Sequence, residues 1–180
     1  QGLVGSEMCI RDRVIDSQEL SQRAEIVDAL LSYTRGIDRL DEESVTSAFH
    51  PGAILNNYGP EPMPIESFVE YALPSLKQRY YATQHRVSNI RVEIKDDKAL
   101  VESYVLAYHV EMGENSKQLH TFNGRYIDTF ALRDGHWKIS ERFLRNDWSK
   151  VEDITTEMAG SGVWVKSRRN ADDPIYDFWD

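Results

Sequence analysis

His85 stands in the run QHRVSN, between the tyrosine-rich QRYYAT and the alternating IRVEI. At the start of a strand and flanked by polar residues, an imidazole is either a hydrogen-bonding strut of a turn or a base facing a cavity. With an ordinary pKa near neutrality it can take a carbon-bound proton, provided an acid from elsewhere in the chain orients it. Asp38, in YTRGIDRLD, is such a carboxylate, at or just past the end of a helix, with Tyr33 five residues before it. An aspartate there serves equally as a turn residue bonded to nearby backbone, and sequence separation does not bring Asp38 to His85. His109 in LAYHVEM and His120 in QLHTFNG lie on adjoining strands, which antiparallel pairing through MGENSK would bring close. Neither HxH nor HExxH spacing accompanies them, so no metal is expected. Asn123, in the same region, has an amide able to orient a substrate oxygen. GPEPMP, GSG and the isolated Gly124 form no phosphate-binding glycine loop.

The elements that must position these groups follow from periodicity. Ser17 or Ser21 can cap a first helix in which Ile26, Leu30 and Tyr33 form a stripe. A short second helix covers Glu42 to Ala48, and FHPGAILNNYGPEP leaves it as a strand and loop. MPIESFVEYALPSLKQRYYAT reads as a third helix, interrupted or bent at Pro74. Phe68, Tyr71, Leu73, Leu76 and Tyr80 divide between helix–sheet packing and the wall of a pocket for a bulky apolar ligand. Strands then cover Asn89 to Lys95, Ala99 to Glu111, Gln118 to Leu132 and His136 to Asp147, with DDKA and RDGH as turns. Helices followed by a long antiparallel meander predict an α+β fold with helices on one sheet face. Trp137 and Trp148 are expected to pack the sheet. The tail from residue 151 to 180 carries Trp164, Tyr176, Phe178 and Trp179, an apolar load suited to covering a cavity or a neighbouring subunit.

Length and composition set the outer bounds. The chain has 180 residues, 41% hydrophobic and 28% charged, ordinary values for one globular domain with a sizeable core. A net charge of −9 argues against an extended nucleic-acid surface, and no apolar segment is long enough to span a bilayer. Cys9 is the only cysteine, so no intrachain disulfide forms. Its surroundings, GLVGSEMCIRDR, lack a secretion signal's apolar segment and resemble a translated sequencing adapter. Residues 1–16 are therefore expected to be disordered or extraneous, residues 17–150 to form the domain, and the location to be cytoplasmic.

In this order and spacing, YTRGIDRLD, HRVSN, GRYIDTFALRDGHWKISER and the following DW resemble the SnoaL-like branch of the NTF2-like superfamily. The resemblance spans roughly residues 17 to 150. It implies a cone-shaped α+β barrel, a curved antiparallel sheet wrapped with helices around an apolar pocket. Its dehydratases and dehydrochlorinases use an Asp–His base, which by local motif is Asp38 and His85. Tyr33 matches a tyrosine of the bile acid 7α-dehydratase, and an arginine of the family corresponds to Arg142, with Arg145 its near competitor. The carbanion-side chemistry asks for no cofactor: His85 takes the proton, Asp38 fixes its tautomer, and Tyr33 with Arg142 stabilises developing negative charge. A scytalone-dehydratase-like site would add His109 or His120 as a second pocket histidine. The resemblance thus implies a lyase acting on a hydrophobic cyclic small molecule and a homo-oligomer, a trimer before a dimer. An isomerase or polyketide-cyclase-like enzyme with the same base, and a non-catalytic binding or assembly protein, are the other readings.

Overall fold

A computed structural model describes residues 15–112 and 116–177. Cys9 with residues 1–14, residues 113–115 of the MGENSK connection, and Phe178 and Trp179 of the tail lie outside the described residues. Helix α1 spans Ser17–Arg39. Its cap is Asp16 rather than either serine: the carboxylate accepts the Glu19 N–H at 2.8 Å and sits at the positive end of the helix dipole. Ile26, Leu30, Tyr33 and Ile37 recur at helical spacing and bury one face. Leu40, at φ 57°, closes the helix by donating to the Gly36 and Ile37 carbonyls. Helix α2, Glu42–Ser47, folds back against this end. A Cβ on Gly36 would lie 2.6 Å from the Val45 nitrogen, so only glycine admits the approach.

Strand β1 is Phe49–Asn56 and β2 is Met63–Pro64. Helix α3, Ile65–Arg79, runs through Pro74 without interruption. Strands β3 (Tyr80–Lys95), β4 (Lys98–Met112), β5 (Lys117–Arg133) and β6 (His136–Ile154) complete one sheet in the order β2–β1–β6–β5–β4–β3. All neighbours are antiparallel except β1 and β6. Asp134 and Gly135 take positive φ, as a tight hairpin between right-twisted strands demands.

Two expectations change here. QHRVSN lies inside β3, not in a turn before it, because Thr83 and His85 already pair with His109 and Ala107 of β4. The aromatic and β-branched YYAT favours strand over a continued helix. Strand β6 also continues past the expected end at Asp147, to Ile154. Beyond Phe143 it has left β1 and pairs with β5 alone, so Trp148 is 52% exposed instead of packed. Trp137, at 2%, is core.

Register shifts near Tyr80, Ser88, Asn123 and Thr129 interrupt strands of 15 to 19 residues and bend the sheet. At the β5–β6 shift a Cβ on Gly124 would meet the Arg145 carbonyl at 1.9 Å, so glycine is required for the strands to close up. The concave face and α1 enclose the core of Leu55, Val101, Val105, Phe130 and Ile139. Among the described residues no helix is long and apolar enough to cross a membrane.

Candidate active site

Asp38 lies in the last turn of α1, where the helix runs beside the edge strand β3, and it meets three donors there. Its Oδ1 accepts from the Thr83 hydroxyl at 2.9 Å and lies 2.8 Å from His85 Nδ1, while Oδ2 accepts the His85 backbone N–H at 2.8 Å. Thr83 and His85 share a face of β3 because strand side chains alternate. Burial would raise the Asp38 pKa, but the hydrogen bonds and charge of His85, with Thr83, outweigh it and hold the carboxyl below its ordinary value. A carboxylate can only accept, so Nδ1 carries a proton, and in the neutral ring the lone pair is therefore on Nε2. The two side chains are 13% and 9% exposed, enough burial to strengthen the pair and enough access to serve a ligand.

His85 lines a cavity of about 260 Å³ between the sheet and helices α1 and α3. Tyr33, Ile37, Tyr58, Phe68, Phe122 and Tyr126 supply most of its aromatic and apolar wall. The Tyr33 and Tyr58 hydroxyls are 3.4 Å apart. Burial pushes the Tyr58 and Tyr126 phenols well above their ordinary value, so both stay protonated donors. A second space, an open groove of about 930 Å³, touches the other side of the dyad through Leu31, Arg35, Gln84 and Tyr108. The groove is larger but lined by Arg35, Arg39 and Gln84, and it offers the dyad no tyrosine hydroxyl pair. The inner cavity is the better place to abstract a proton.

The expected site residues separate on this geometry. His85, Tyr33, His109 and Phe68 line the cavity, and Tyr71, 71% exposed, stands at its rim. Tyr80 is outside it, packed on the rings of His109 and His120. His120 lies 2.9 Å from Glu111 Oε2 through Nε2, near enough for an ion pair but without hydrogen-bond alignment, and does not line the cavity. Asn123 does not line it either, since the alternation that points Phe122 inward sends its neighbour to the opposite face. Among the described residues no three His, Cys, Asp or Glu side chains converge as a metal site.

Arg142, and not Arg145, points inward, but it is fully buried and absent from the cavity wall. Its Nε and Nη2 each donate to Asp128 at 2.7 Å, and its Cζ lies 4.3 Å and 4.0 Å from the ring centres of Tyr33 and Tyr126. Burial raises the Asp128 pKa and pulls on Arg142 the opposite way. The short two-pronged geometry keeps both charged, with Arg142 well above its ordinary value. Nη1 has no hydrogen-bond partner among the described residues, and the guanidinium rests on the rings of Tyr33, Phe49 and Tyr126. Arg142 therefore reaches the cavity only through the two tyrosines. Arg145 is exposed and bonds Asn57.

His109 meets the His85 ring edge-on at 5.1 Å. Burial, helped by the charge of His85 and opposed by Asp38, lowers its pKa from 6.5 to about 4. The unfolded chain then binds a proton here that the folded chain refuses, so this contribution is fully present above about 6.5 and lost as pH falls to about 4. Urea denaturation at intervals between pH 7 and pH 4 should show wild type losing stability relative to His109→Asn. A constant difference would mean that His109 is not held neutral.

Sequence reasoning missed Thr83, Tyr58, Tyr126 and Phe122. Thr83 was discoverable from period-two spacing to His85 once YYATQH is read as strand. Tyr58 sits in the irregular stretch after β1, where no periodicity marks it.

The curved sheet, three helices and enclosed dyad define a cone-shaped NTF2-like domain. Residues 18–143 match the SnoaL-like domain, and the chain belongs to that family. Among solved structures, a provisional scytalone dehydratase from Novosphingobium aromaticivorans DSM 12444 is 23% identical over 78% of this chain and 92% of its own, with a TM-score of 0.64. The type 3 hexachlorocyclohexane dehydrochlorinase of Novosphingobium barchaimii LL02 is 21% identical over 78% and 95%, TM-score 0.64. A Mycobacterium tuberculosis protein of unknown function is 21% identical over 72% and 74%, TM-score 0.61. These likenesses establish the fold. No curated protein matches.

Proposed function

We propose that the protein is a cofactor-independent lyase that removes water or hydrogen halide from a compact, hydrophobic cyclic molecule. The observation that carries this is the 2.8 Å contact of Asp38 with His85 Nδ1, which leaves Nε2 as the base on the wall of an aromatic cavity. Nε2 takes a proton from carbon, the released electron pair forms the double bond, and the leaving group departs with its own pair. Asp38 stabilises the imidazolium that results. Tyr33 and Tyr58 donate to the departing or developing oxygen charge, and Arg142 holds Tyr33 in place from behind. His109, kept neutral by burial, adds no repelling charge beside the new imidazolium.

The cavity narrows the substrate class. An apolar cavity of about 150 Å³ accommodates benzene, so about 260 Å³ suits a molecule of one or two rings more than a steroid. The type 3 dehydrochlorinase is named for hexachlorocyclohexane, a halide of a single ring. An isomerase would use the same base, and the tyrosine pair would serve its enolate equally well. Incubation with small cyclic alcohols, β-hydroxy ketones and halides, followed by mass spectrometry, separates the two. Loss of water or hydrogen halide supports the lyase; products of unchanged mass transfer the reading to isomerisation.

We further propose a homo-oligomer, with a trimer favoured. Leu100, Tyr104, Trp148 and Val151 leave 45–57% of their surface exposed on the long strands. Sedimentation equilibrium should return a multiple of 20.8 kDa, and a monomer at micromolar concentration would end this proposal.

A further inference from the structure

We infer that Arg169, in the C-terminal extension outside the family domain, is a positioning residue of the dyad, because its one guanidinium ties together the chain segments that present Asp38 and His85. This rests on the lyase reading above. Arg169 Nε donates to the carbonyl of Asp38 itself at 3.1 Å. Nη1 donates to the carbonyl of Tyr80 at 2.6 Å and reaches that of Leu76 at 3.4 Å. Asp38 is in the last turn of α1, Leu76 is in the last turn of α3 on the cavity wall, and Tyr80 opens the strand that carries Thr83 and His85. Helix α3 runs directly into β3 at Tyr80, so one rigid, planar donor ties that continuous corner to the separate end of α1.

The chemistry of the corner calls for a cation. The closing turn of α1 leaves the Asp38 carbonyl without an intrahelical donor, Leu76 O already takes the Tyr80 N–H and has a lone pair to spare, and the negative ends of two helix dipoles meet here. Asp38 adds a carboxylate to the same helix end, an unfavourable place for an anion. Arg169 supplies both the hydrogen bonds and the compensating charge. The fit is held at the expense of its Nη2, which is buried without a hydrogen-bond partner among the described residues. The rest of the tail is fastened independently: Asp173 lies 3.5 Å from Arg39, and the Tyr176 hydroxyl donates to Asp41 at 3.2 Å, with Arg35 over the Tyr176 ring. Those contacts anchor the extension to α1 and α2, whereas Arg169 alone among them contacts both α1 and β3.

The test reads the dyad without needing a substrate. In the full-length, nitrogen-labelled chain, the Asp38-bound Nδ1–H of His85 should give a slowly exchanging imidazole signal, assigned by its loss in His85→Gln. Arg169→Ala should weaken that signal through faster exchange with water, and Arg169→Lys should restore part of it. Asp173→Asn, which loosens the tail but spares the three carbonyls, should leave it as in wild type. Once a turnover assay exists, Arg169→Ala should lower kcat by about 10- to 100-fold, the range for a small misplacement of reacting groups, with KM little changed. A wild-type signal in Arg169→Ala, or an equal loss in Asp173→Asn, overturns the inference. If Arg169→Ala does not fold, Arg169→Lys against Asp173→Asn decides it: a weaker signal in the lysine variant supports the role, and equal signals overturn it. A wild-type chain with no such signal would instead defeat the dyad itself, and this inference with it.

Discussion

His85→Ala is expected to lower elimination by about 10²–10⁴-fold, the usual contribution of a positioned general base. The loss should fall on kcat, because the cavity wall of Tyr33, Phe68, Phe122 and Tyr126 that binds the ring system remains intact. Stability should change little by comparison. Asp38 keeps the Thr83 hydroxyl and the backbone N–H of residue 85, so one charge-assisted hydrogen bond is lost, worth about 1.5–3 kcal/mol. Asp38→Asn gives the companion result. An amide can present its NH₂ to Nδ1, which favours the tautomer with the proton on Nε2 and removes the base without emptying the site. Steady-state kinetics beside thermal denaturation would separate the effects. Turnover within threefold of wild type in a folded His85→Ala protein would remove proton abstraction by this residue from the mechanism.

Arg142→Ala should have the largest effect on folding. It leaves the Asp128 carboxylate fully buried without its partner, a change that typically costs about 3–5 kcal/mol. For a chain of 180 residues each kcal/mol lowers Tm by about 2–4 °C, so a fall of roughly 10 °C is expected. The packing of Tyr33 and Tyr126 on the guanidinium goes as well, so the cavity wall nearest the proposed leaving group should loosen. The double variant Asp128→Leu with Arg142→Met removes both charges and restores apolar volume. It should recover much of the stability without recovering turnover, because nothing then backs the tyrosines. Arg145→Ala, at an exposed position, should cost less than about 1 kcal/mol. Urea titrations measure all three. A loss below about 1 kcal/mol in Arg142→Ala would show that the buried pair does not hold the sheet and the tyrosines together.

The elements were legible where the signal is local. The 3–4 spacing of Ile26, Leu30 and Tyr33 marks α1, and the alternating runs around DDKA and RDGH mark β3 to β6, because each residue's partners in these patterns are a few positions away. Errors fell where a local pattern had two solutions. YYAT can end a helix or begin a strand, and pairing with β4 chose the strand, which placed His85 within it. Trp148 reads as core from its type alone, but the strand that carries it runs beyond the covering layers. The Asp38–His85 pair was reached through family resemblance, since 47 residues of chain separate the two and no local pattern spans that distance.

By itself, then, the sequence determined the α+β class, the order of helices and strands, and the residue types able to act as base, acid and hydroxyl donor, because propensity, periodicity and chemistry belong to short stretches of chain. Only the tertiary structure decided which of them meet. It set Asp38 against His85, turned Arg142 away from the cavity into a pair with Asp128, brought Tyr58 to Tyr33, and carried Arg169 back across 131 residues to the Asp38 carbonyl. Those choices depend on how a bent sheet and two helix ends pack in space. That packing is fixed by burial and by satisfying polar groups over the whole chain at once.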